Sequence, residues 1–397
     1  MLMPEIHAAR LARAQEKLAE WGVDGALITS LVNVRYLTGL ASSNAALLLP
    51  ARGPGVLATD FRYAESAARD CGDLELVVER FIGLALASVA VARGMALLGF
   101  EAHVMTVEQH EELASLDGAP TLVASGPIIE ELRTVKDESE LALLSRACAI
   151  TDEAFSAALS HLVPGRTERE LAVLLERAMV DLGADAPAFD TIVASGPNGA
   201  IPHHVPGDRP FAVGDLITID CGARYGGYHA DMTRTVALGE SAAWQREIYD
   251  LVATAQRAGV TAATVGADVA DVDAAARDLI GDAGYDEYFR HGLGHGVGLE
   301  VHEAPIIGYG RTGTLGDRVP VTVEPGIYLP GRGGVRIEDT LVVRSGAAAA
   351  RDLLTTTTTA TGRELPVLWG GPPWWARPPH TQERHQTWPR RTTSRTA

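Results

Sequence analysis

Four carboxylates and one imidazole in the second half of this chain stand where a folding chain does not easily tolerate them. Asp220, Asp231, His295, Glu324 and Glu338 lie in the segments ITIDCGARYGGYHADMTRT, HGLGHGVGLEVHEAP, VTVEPGIYL and GGVRIEDT, each on an apolar strand-like run or beside glycines. Taken singly, each reads as a turn or edge-strand side chain facing water, the ordinary place for an acidic residue. Taken together they read differently. Ionised carboxylates drawn into one buried place repel one another unless cations lie among them. A fold that gathers these strands therefore implies a shared cation site.

Local patterns show how the five could meet. In LITID, Thr218 and Asp220 share one face of a strand while Ile217 and Ile219 share the other. Asp231 follows a Gly226-Gly227 turn, so a hairpin can bring both aspartates to one face. Glu324 is presented where Pro325 and Gly326 bend its strand, and Glu338 interrupts VRIEDTLVV, an alternating strand whose Arg336 shares its face. His295 lies in GLGHGVGL, whose glycines let backbone crowd the ring; the run misses G-x-G-x-x-G in every register, which excludes a dinucleotide loop. Such a hard, oxygen-rich shell suits Mn²⁺ better than a thiolate zinc site does. A pair of divalent ions would balance the carboxylates and leave a bridging water readily ionised to hydroxide. His203, His291 and His302 crowd the same motifs, as candidate donors to a carbonyl oxygen, a leaving nitrogen or an oxyanion.

A chain of 397 residues is long enough for roughly two domains, since single cores seldom grow past about 250–300 residues. Residues 1–130 alternate helix-like and strand-like runs, among them LARAQEKLAEW, GALIT, ALLGFE and TLVASG, which argues for an α/β layer domain. Residues 131–368 read as α+β. Two long amphipathic runs open them, KDESELALLSRACAITDEAFSAALSHL and TERELAVLLERAMVDLG, the second with a Thr167/Glu170 capping box. Laying 162–185 over 263–286 pairs Gly165 with Gly266, Gly183 with Gly284 and Asp185 with Asp286 at one offset of 101. If each half is a helix pair leading into β structure, Asp220 and Asp231 come from one half and Glu324 and Glu338 from the other. A pseudo-twofold cage follows. Residues 369–397, rich in tryptophan, proline and arginine without periodicity, read as a disordered tail.

The formal net charge of -17 argues against a nucleic-acid partner. Cys71, Cys148 and Cys221 are odd in number and widely spaced, so neither a disulfide framework nor a zinc knuckle is indicated, and a reducing cytoplasm suits them. The amino terminus lacks the basic-then-apolar layout of a signal peptide. The longest apolar stretch, Phe81 to Ala92, falls short of the roughly 20 residues that cross a bilayer, so no membrane partner is expected.

The ordered series SGPNGAIPHH, DCGARYGGYHADMTRT, HGLGHGVGLEVHEAP, EPGIY and VRIEDT resembles the pita-bread metallopeptidases that include aminopeptidase P and prolidase. NVRYLTGLASSNAALLL and TDFRYAESA resemble their creatinase-type amino-terminal domain, so that the likeness covers roughly residues 5–368. It implies an α/β amino-terminal domain followed by an α+β pita-bread catalytic domain with a pseudo-twofold internal repeat. By the same resemblance Asp220 chelates one ion, Asp231 and Glu338 bridge two, and His295 and Glu324 complete the shells. Glu324 also shuttles a proton, His203 and His302 face the substrate, and His291 and Arg336 support them. The implied metals are Mn²⁺ or Co²⁺, with Zn²⁺ as a further candidate. The implied reaction is hydrolysis of the bond preceding proline in small peptides by an Xaa-Pro aminopeptidase, with an Xaa-Pro dipeptidase as the alternative. A homo-oligomer, dimer or tetramer, goes with it. Creatinase lacks the metal ligands and methionine aminopeptidase lacks the first domain. A non-catalytic binding module on the same scaffold is the competing class, and the intact ligand set opposes it.

Overall fold

Short apolar runs between residues 25 and 125 pair into one sheet, and the computed structural model, which describes residues 4–346, 352–356 and 365–368, gives its order. From edge to edge the strands are Glu75–Val78, Val56–Thr59, Ala45–Pro50, Gly25–Ile28, Leu97–Glu101 and Thr121–Ser125. Gly25–Ile28 runs antiparallel to Ala45–Pro50 and parallel to Leu97–Glu101. These central strands are buried on both faces, which is why GALI and AALLLP read as unbroken apolar runs rather than as alternation. Leu47 and Leu49 meet Ala14 and Leu18 of the helix Pro4–Trp21, whereas Leu48, on the opposite face, meets Leu86 and Ala90 of the helix Ile82–Ala92. The apolar run that begins at Phe81 is thus a core helix. No helix among the described residues is long and apolar enough to cross a membrane. The tail expected at 369–397 lies outside the described residues.

The remainder repeats one unit twice. Helices Glu138–Ala158 and Glu168–Asp181 pack on a sheet ordered Val367–Leu368, Met232–Leu238, Leu216–Cys221, Ile192–Ser195. Helices Ala243–Ala262 and Val269–Asp282 pack on a sheet ordered Glu303–Ile307, Gly294–Gly296, Val319–Val323, Asp339–Val343, Asp352–Leu353. Each half has its own apolar core. Ile150, Phe155, Leu171 and Met179 meet Ile217 and Val236 in the first; Ile248, Val252, Val272 and Ile280 meet Val321 and Leu341 in the second.

The repeat extends to individual hydrogen bonds. Helices Glu168–Asp181 and Val269–Asp282 start and stop at the offset of 101 seen in the sequence, 168 to 269 and 181 to 282. A left-handed glycine precedes each, Gly165 at φ 89° and Gly266 at φ 83°. The N–H of the first donates to the Phe211 carbonyl at 2.9 Å and that of the second to the Leu315 carbonyl at 2.8 Å. The capping residues Thr167 and Asp268 then make isolated bridges to Pro210 and Thr314.

An added Cβ would touch nothing at either glycine, so alanine there meets backbone strain alone. Gly165→Ala and Gly266→Ala should each lower stability by a similar ~1–2 kcal/mol, measured by urea unfolding. Markedly unequal losses would show that the two turns are not equivalent.

Candidate metal centre

Asp220 lies near the end of the strand Leu216–Cys221, opposite Thr233 of the antiparallel strand Met232–Leu238. Between them Ala223–Tyr225 and Tyr228–His229 close a tight hairpin through Gly226 and Gly227, both left-handed at φ 59° and 89°, the geometry that two-residue hairpin turns require. Gly227 is constrained further, because a Cβ there would lie 2.3 Å from the Arg35 guanidinium. The hairpin returns Asp231 to the pocket that Asp220 lines.

His295 is the middle residue of Gly294–Gly296. A Cβ at Gly294 would lie 2.0 Å from the Thr322 carbonyl oxygen, and one at Gly296 would lie 2.1 Å from that of Ala304. Only glycine lets this strand fit between its neighbours. The His295 Nδ1–H donates to the Gly296 carbonyl at 3.0 Å, which leaves the lone pair of Nε2 available to a cation. Glu324 follows Val319–Val323, and its N–H donates to the Leu293 carbonyl at 2.8 Å.

Glu338 departs from the sequence expectation of one alternating strand. Gly333–Arg336 pairs with Gly326–Leu329 in a two-stranded ribbon, whereas Asp339–Val343 pairs with Val319–Val323 in the five-stranded sheet. Glu338 sits at the joint, and its N–H donates at 3.0 Å to the Thr233 carbonyl of the other half. Alternation reads the same whether or not the chain changes sheets, so the pattern alone could not reveal the switch.

All nine side chains singled out from the sequence, Asp220, Asp231, His295, Glu324, Glu338, His203, His291, His302 and Arg336, line one cavity of about 280 Å³. Ligand atoms of Asp231, His295 and Glu338 lie within 4.8 Å of one another. His295 Nε2 is 3.7 Å from Asp231 Oδ2 and 3.4 Å from Glu324 Oε1. Asp220 stands outside the tight trio, its Oδ2 accepting from Arg336 Nη2 at 2.7 Å. The His302 ring meets that of His295 edge-on, with centroids 4.4 Å apart.

Burial and like charge dominate the electrostatics. Desolvation, then Glu338, Asp220 and Glu324, push Asp231 far above the usual carboxylate range. Glu338 rises in the same way through burial, Glu324 and Asp220. Glu324 is raised to about 8, chiefly by burial, with Arg336 opposing and Asp220 adding. Burial lowers His291 and His295 to about 4, which keeps both rings neutral near pH 7. Asp220 Oδ1 and Glu338 Oε1 are buried without a hydrogen-bond partner. Their sister oxygens are satisfied, Asp220 Oδ2 by Arg336 and Glu338 Oε2 by the Thr233 hydroxyl at 2.7 Å. Bare buried carboxylate oxygens beside a neutral imidazole nitrogen fit hard divalent cations.

Two participants escape sequence reasoning. The Tyr328 hydroxyl lies 2.9 Å from His291 Nε2 and accepts from Arg336 Nη1 at 3.0 Å. Its signal is Gly326, which pairs opposite Arg336 and leaves room: a Cβ there would lie 2.5 Å from the tyrosine oxygen. Thr233 accepts from Arg336 Nε at 3.0 Å while donating to Glu338. Its register opposite Asp220 was the available clue.

The raised carboxylates fix the sign of a pH effect. Folded Glu324 keeps its proton up to about 8, whereas an unfolded glutamate releases it near ~4.3. The native, metal-free protein therefore holds more protons and loses stability as pH rises through that interval. The buried histidines act in the opposite sense only below ~6.5, where unfolded imidazoles are protonated. Calorimetry should accordingly show the metal-free protein losing thermal stability from about pH 6.5 to 8. A saturating divalent cation that displaces those protons should abolish the slope. A flat metal-free profile would contradict the raised carboxyl groups.

Residues 142–345 match the model of metallopeptidase family M24, and residues 10–135 match that of the creatinase/prolidase N-terminal domain. An uncharacterized peptidase of Bacillus subtilis, YqhT, is 40% identical over 336 residues, 84% of this chain and 95% of that protein. The solved structure of an Xaa-Pro dipeptidase from Bacillus anthracis superposes with a TM-score of 0.86 at 36% identity, covering 91% of this chain and 100% of the other. An X-Pro aminopeptidase from Thermotoga maritima superposes with 0.79 at 34% identity, covering 87% and 98%. With the ligand-type residues gathered at the seam of two matching half-sheets, the chain belongs to metallopeptidase family M24, an enzyme in which a creatinase-type amino-terminal domain precedes a pita-bread catalytic domain.

Proposed function

We propose that this protein is a two-cation peptidase that cleaves the bond preceding proline in Xaa-Pro dipeptides. The observation that carries the reading is the convergence of four carboxylates and His295 on one cavity that holds two bare, buried oxygens. Asp220, Asp231, His295, Glu324 and Glu338 would hold the cations, Mn²⁺ by the hardness of the donors, with Co²⁺ or Zn²⁺ as substitutes. Residues 1–130 and 131–368 would act as the two domains. Bound there, the cations supply Lewis-acid polarisation of a water and of the peptide carbonyl.

The remaining work falls to side chains. The amide before proline is tertiary, so its nitrogen carries no proton and must gain one to leave as an amine. Glu324 takes a proton from the attacking water and delivers it to that nitrogen. His203 and His302 stand on the cavity wall as donors to the carbonyl oxygen or to the substrate carboxylate. Arg336 is not free for this role. Its guanidinium is committed to Asp220, Thr233, Tyr328 and the Pro202 carbonyl, and His291 holds Tyr328 from the other side.

The sequence alone puts an aminopeptidase first and the dipeptidase second. Similarity favours the reverse order, since the Bacillus anthracis structure named Xaa-Pro dipeptidase matches better than the Thermotoga maritima structure named X-Pro aminopeptidase. A cavity near 280 Å³ lies at the lower edge of the roughly 300–1,000 Å³ of most ligand sites, in keeping with a short substrate. One observation favours the aminopeptidase as a second reading. Among the described residues the only arginine or lysine in the wall is the committed Arg336, while Ile306 contributes an aliphatic surface that is 41% exposed. A dipeptide carboxylate would then depend on the histidines. The proposal carries with it a cytoplasmic homo-oligomer, dimer or tetramer, which light scattering decides.

With added Mn²⁺, an Xaa-Pro dipeptide should turn over faster than an Xaa-Pro-Yaa tripeptide. The opposite preference would install the aminopeptidase, and turnover of neither would dismiss both. Glu324→Gln should lower kcat by ~10²–10⁴-fold while near-UV circular dichroism stays unchanged; retained activity would remove Glu324 from proton transfer.

A further inference from the structure

His203 stands on a segment with little regular structure to hold it. Between the 3-10 turn Gly196–Ala200 and Pro210 the chain forms neither helix nor strand, and Ile201, His203 and Val205 are exposed. Unrestrained, such a loop would present the imidazole at many positions rather than one. The restraint comes from Glu168, the first residue of the helix Glu168–Asp181, whose side chain is fully buried.

Both oxygens of Glu168 are spent on this loop. Oε1 accepts from the Ser195 N–H at 2.8 Å, the Ser195 hydroxyl at 2.7 Å and the Asn198 amide at 3.0 Å. Oε2 accepts from the Gly207 N–H at 3.1 Å and faces His204 Nε2 at 2.8 Å. Burial works against the charge, but the bonds from Ser195, Asn198 and His204 hold the carboxyl below the usual range. The contacts bracket His203, with residues 195 and 198 before it and 204 and 207 after it. Arg209 braces the same corner, donating to the Ser195 hydroxyl and pairing with both oxygens of Asp215. On the cavity side, the Pro202 carbonyl accepts from Arg336 at 3.2 Å.

The helix does not need this carboxylate. Thr167 and Glu170 already form its capping box. The repeated half supplies an internal comparison, for the residue at the offset of 101 from Glu168 is Val269, buried and apolar, at the start of an equally long helix. Two equivalent helices thus start with and without this carboxylate, and the one that has it spends it on the loop that carries His203.

We propose that Glu168 is a positioning residue for the peptidase reaction, which pins residues 195–207 so that His203 meets the substrate at one place in the cavity. This rests on the assignment of His203 to the substrate under the proposed function. The test is a double-mutant cycle on the Mn²⁺-loaded enzyme with an Xaa-Pro dipeptide, with melting temperature and bound manganese measured for every variant. Glu168→Gln and His204→Ala should each lower kcat/KM at least tenfold with manganese retained. His204→Gln, which restores an N–H at the same reach, should recover most of that loss. Adding Glu168→Gln to His203→Ala should cost less than a further threefold, because nothing is left to position.

Fully additive losses in the double variant, or wild-type kinetics in folded Glu168→Gln alongside a damaged His203→Ala, would overturn the positioning role alone. Wild-type turnover in His203→Ala would overturn the assignment of His203, and the positioning role with it. Should Glu168→Gln fail to fold, His204→Ala replaces it in the same cycle with His203→Ala and is judged by the same outcomes.

Discussion

Mutual repulsion among Asp220, Asp231, Glu324 and Glu338 is the force that the catalytic half is built to withstand. Burial and neighbouring charge raise three of the four towards their protonated forms against the opposing charge of Arg336, whose one direct bond to the four acids goes to Asp220. The charge still to be balanced must come from protons or from divalent cations, and the two compete for the same oxygens. The backbone is arranged to resist relaxation of the cluster. Glu324 is tied through its N–H to Leu293, and Glu338 through its N–H to Thr233 in the other half. Ligand groups held by strand backbone keep their spacing better than groups carried on loops.

That arrangement follows from the repeat. Two half-sheets, each with its own helix pair and core, meet along a seam, and each brings two acids to it. Much of this was legible in the chain. The glycines at 165 and 266 declare the two turns, the double glycine at 226–227 declares the hairpin between Asp220 and Asp231, and the glycines around His295 declare a close backbone approach. These are local signals, each set by a backbone requirement that few residues meet. Glu338 was legible as a carboxylate grouped with the other four but not as a joint between two sheets, because periodicity records which face a residue shares and not which neighbour it pairs with. Tyr328 was legible only through the room that Gly326 leaves, and the contacts of Glu168 not at all. Their roles depend on partners brought close by tertiary folding.

Contacts between the two domains extend the same point. Arg133 donates to Asn33 Oδ1 at 2.8 Å and to Glu300 and Glu303 at 2.6 Å each, across sequence separations of 167 and 170 residues for the two glutamates. Lys136 takes the other Glu303 oxygen at 2.8 Å, and Asn33 donates to Glu101, at the end of a central strand of the six-stranded sheet, at 2.6 Å. Buried pairs of this kind are a poor source of net stability, since desolvation cancels much of their attraction. Their structural effect is definite nonetheless. Glu303 adjoins His302, so the loop that carries a cavity-facing histidine is fixed through charge to the amino-terminal sheet.

Hydrogen-bond saturation separates the acids that build the protein from the acids left open in the cavity. Glu168 and Glu303 are as buried as the site carboxylates, yet donors meet every one of their oxygens, and both remain below the usual carboxylate range. Among the described residues the buried carboxylate oxygens without a donor are Asp220 Oδ1 and Glu338 Oε1, and both line the cavity. An acid left bare inside a folded protein is costly, whereas a saturated one is ordinary scaffold. A protein that saturates its buried scaffold carboxylates and leaves these two bare has assigned them a partner that is not part of the chain. The neutral His295 nitrogen beside them indicates a cation rather than a further hydrogen-bond donor.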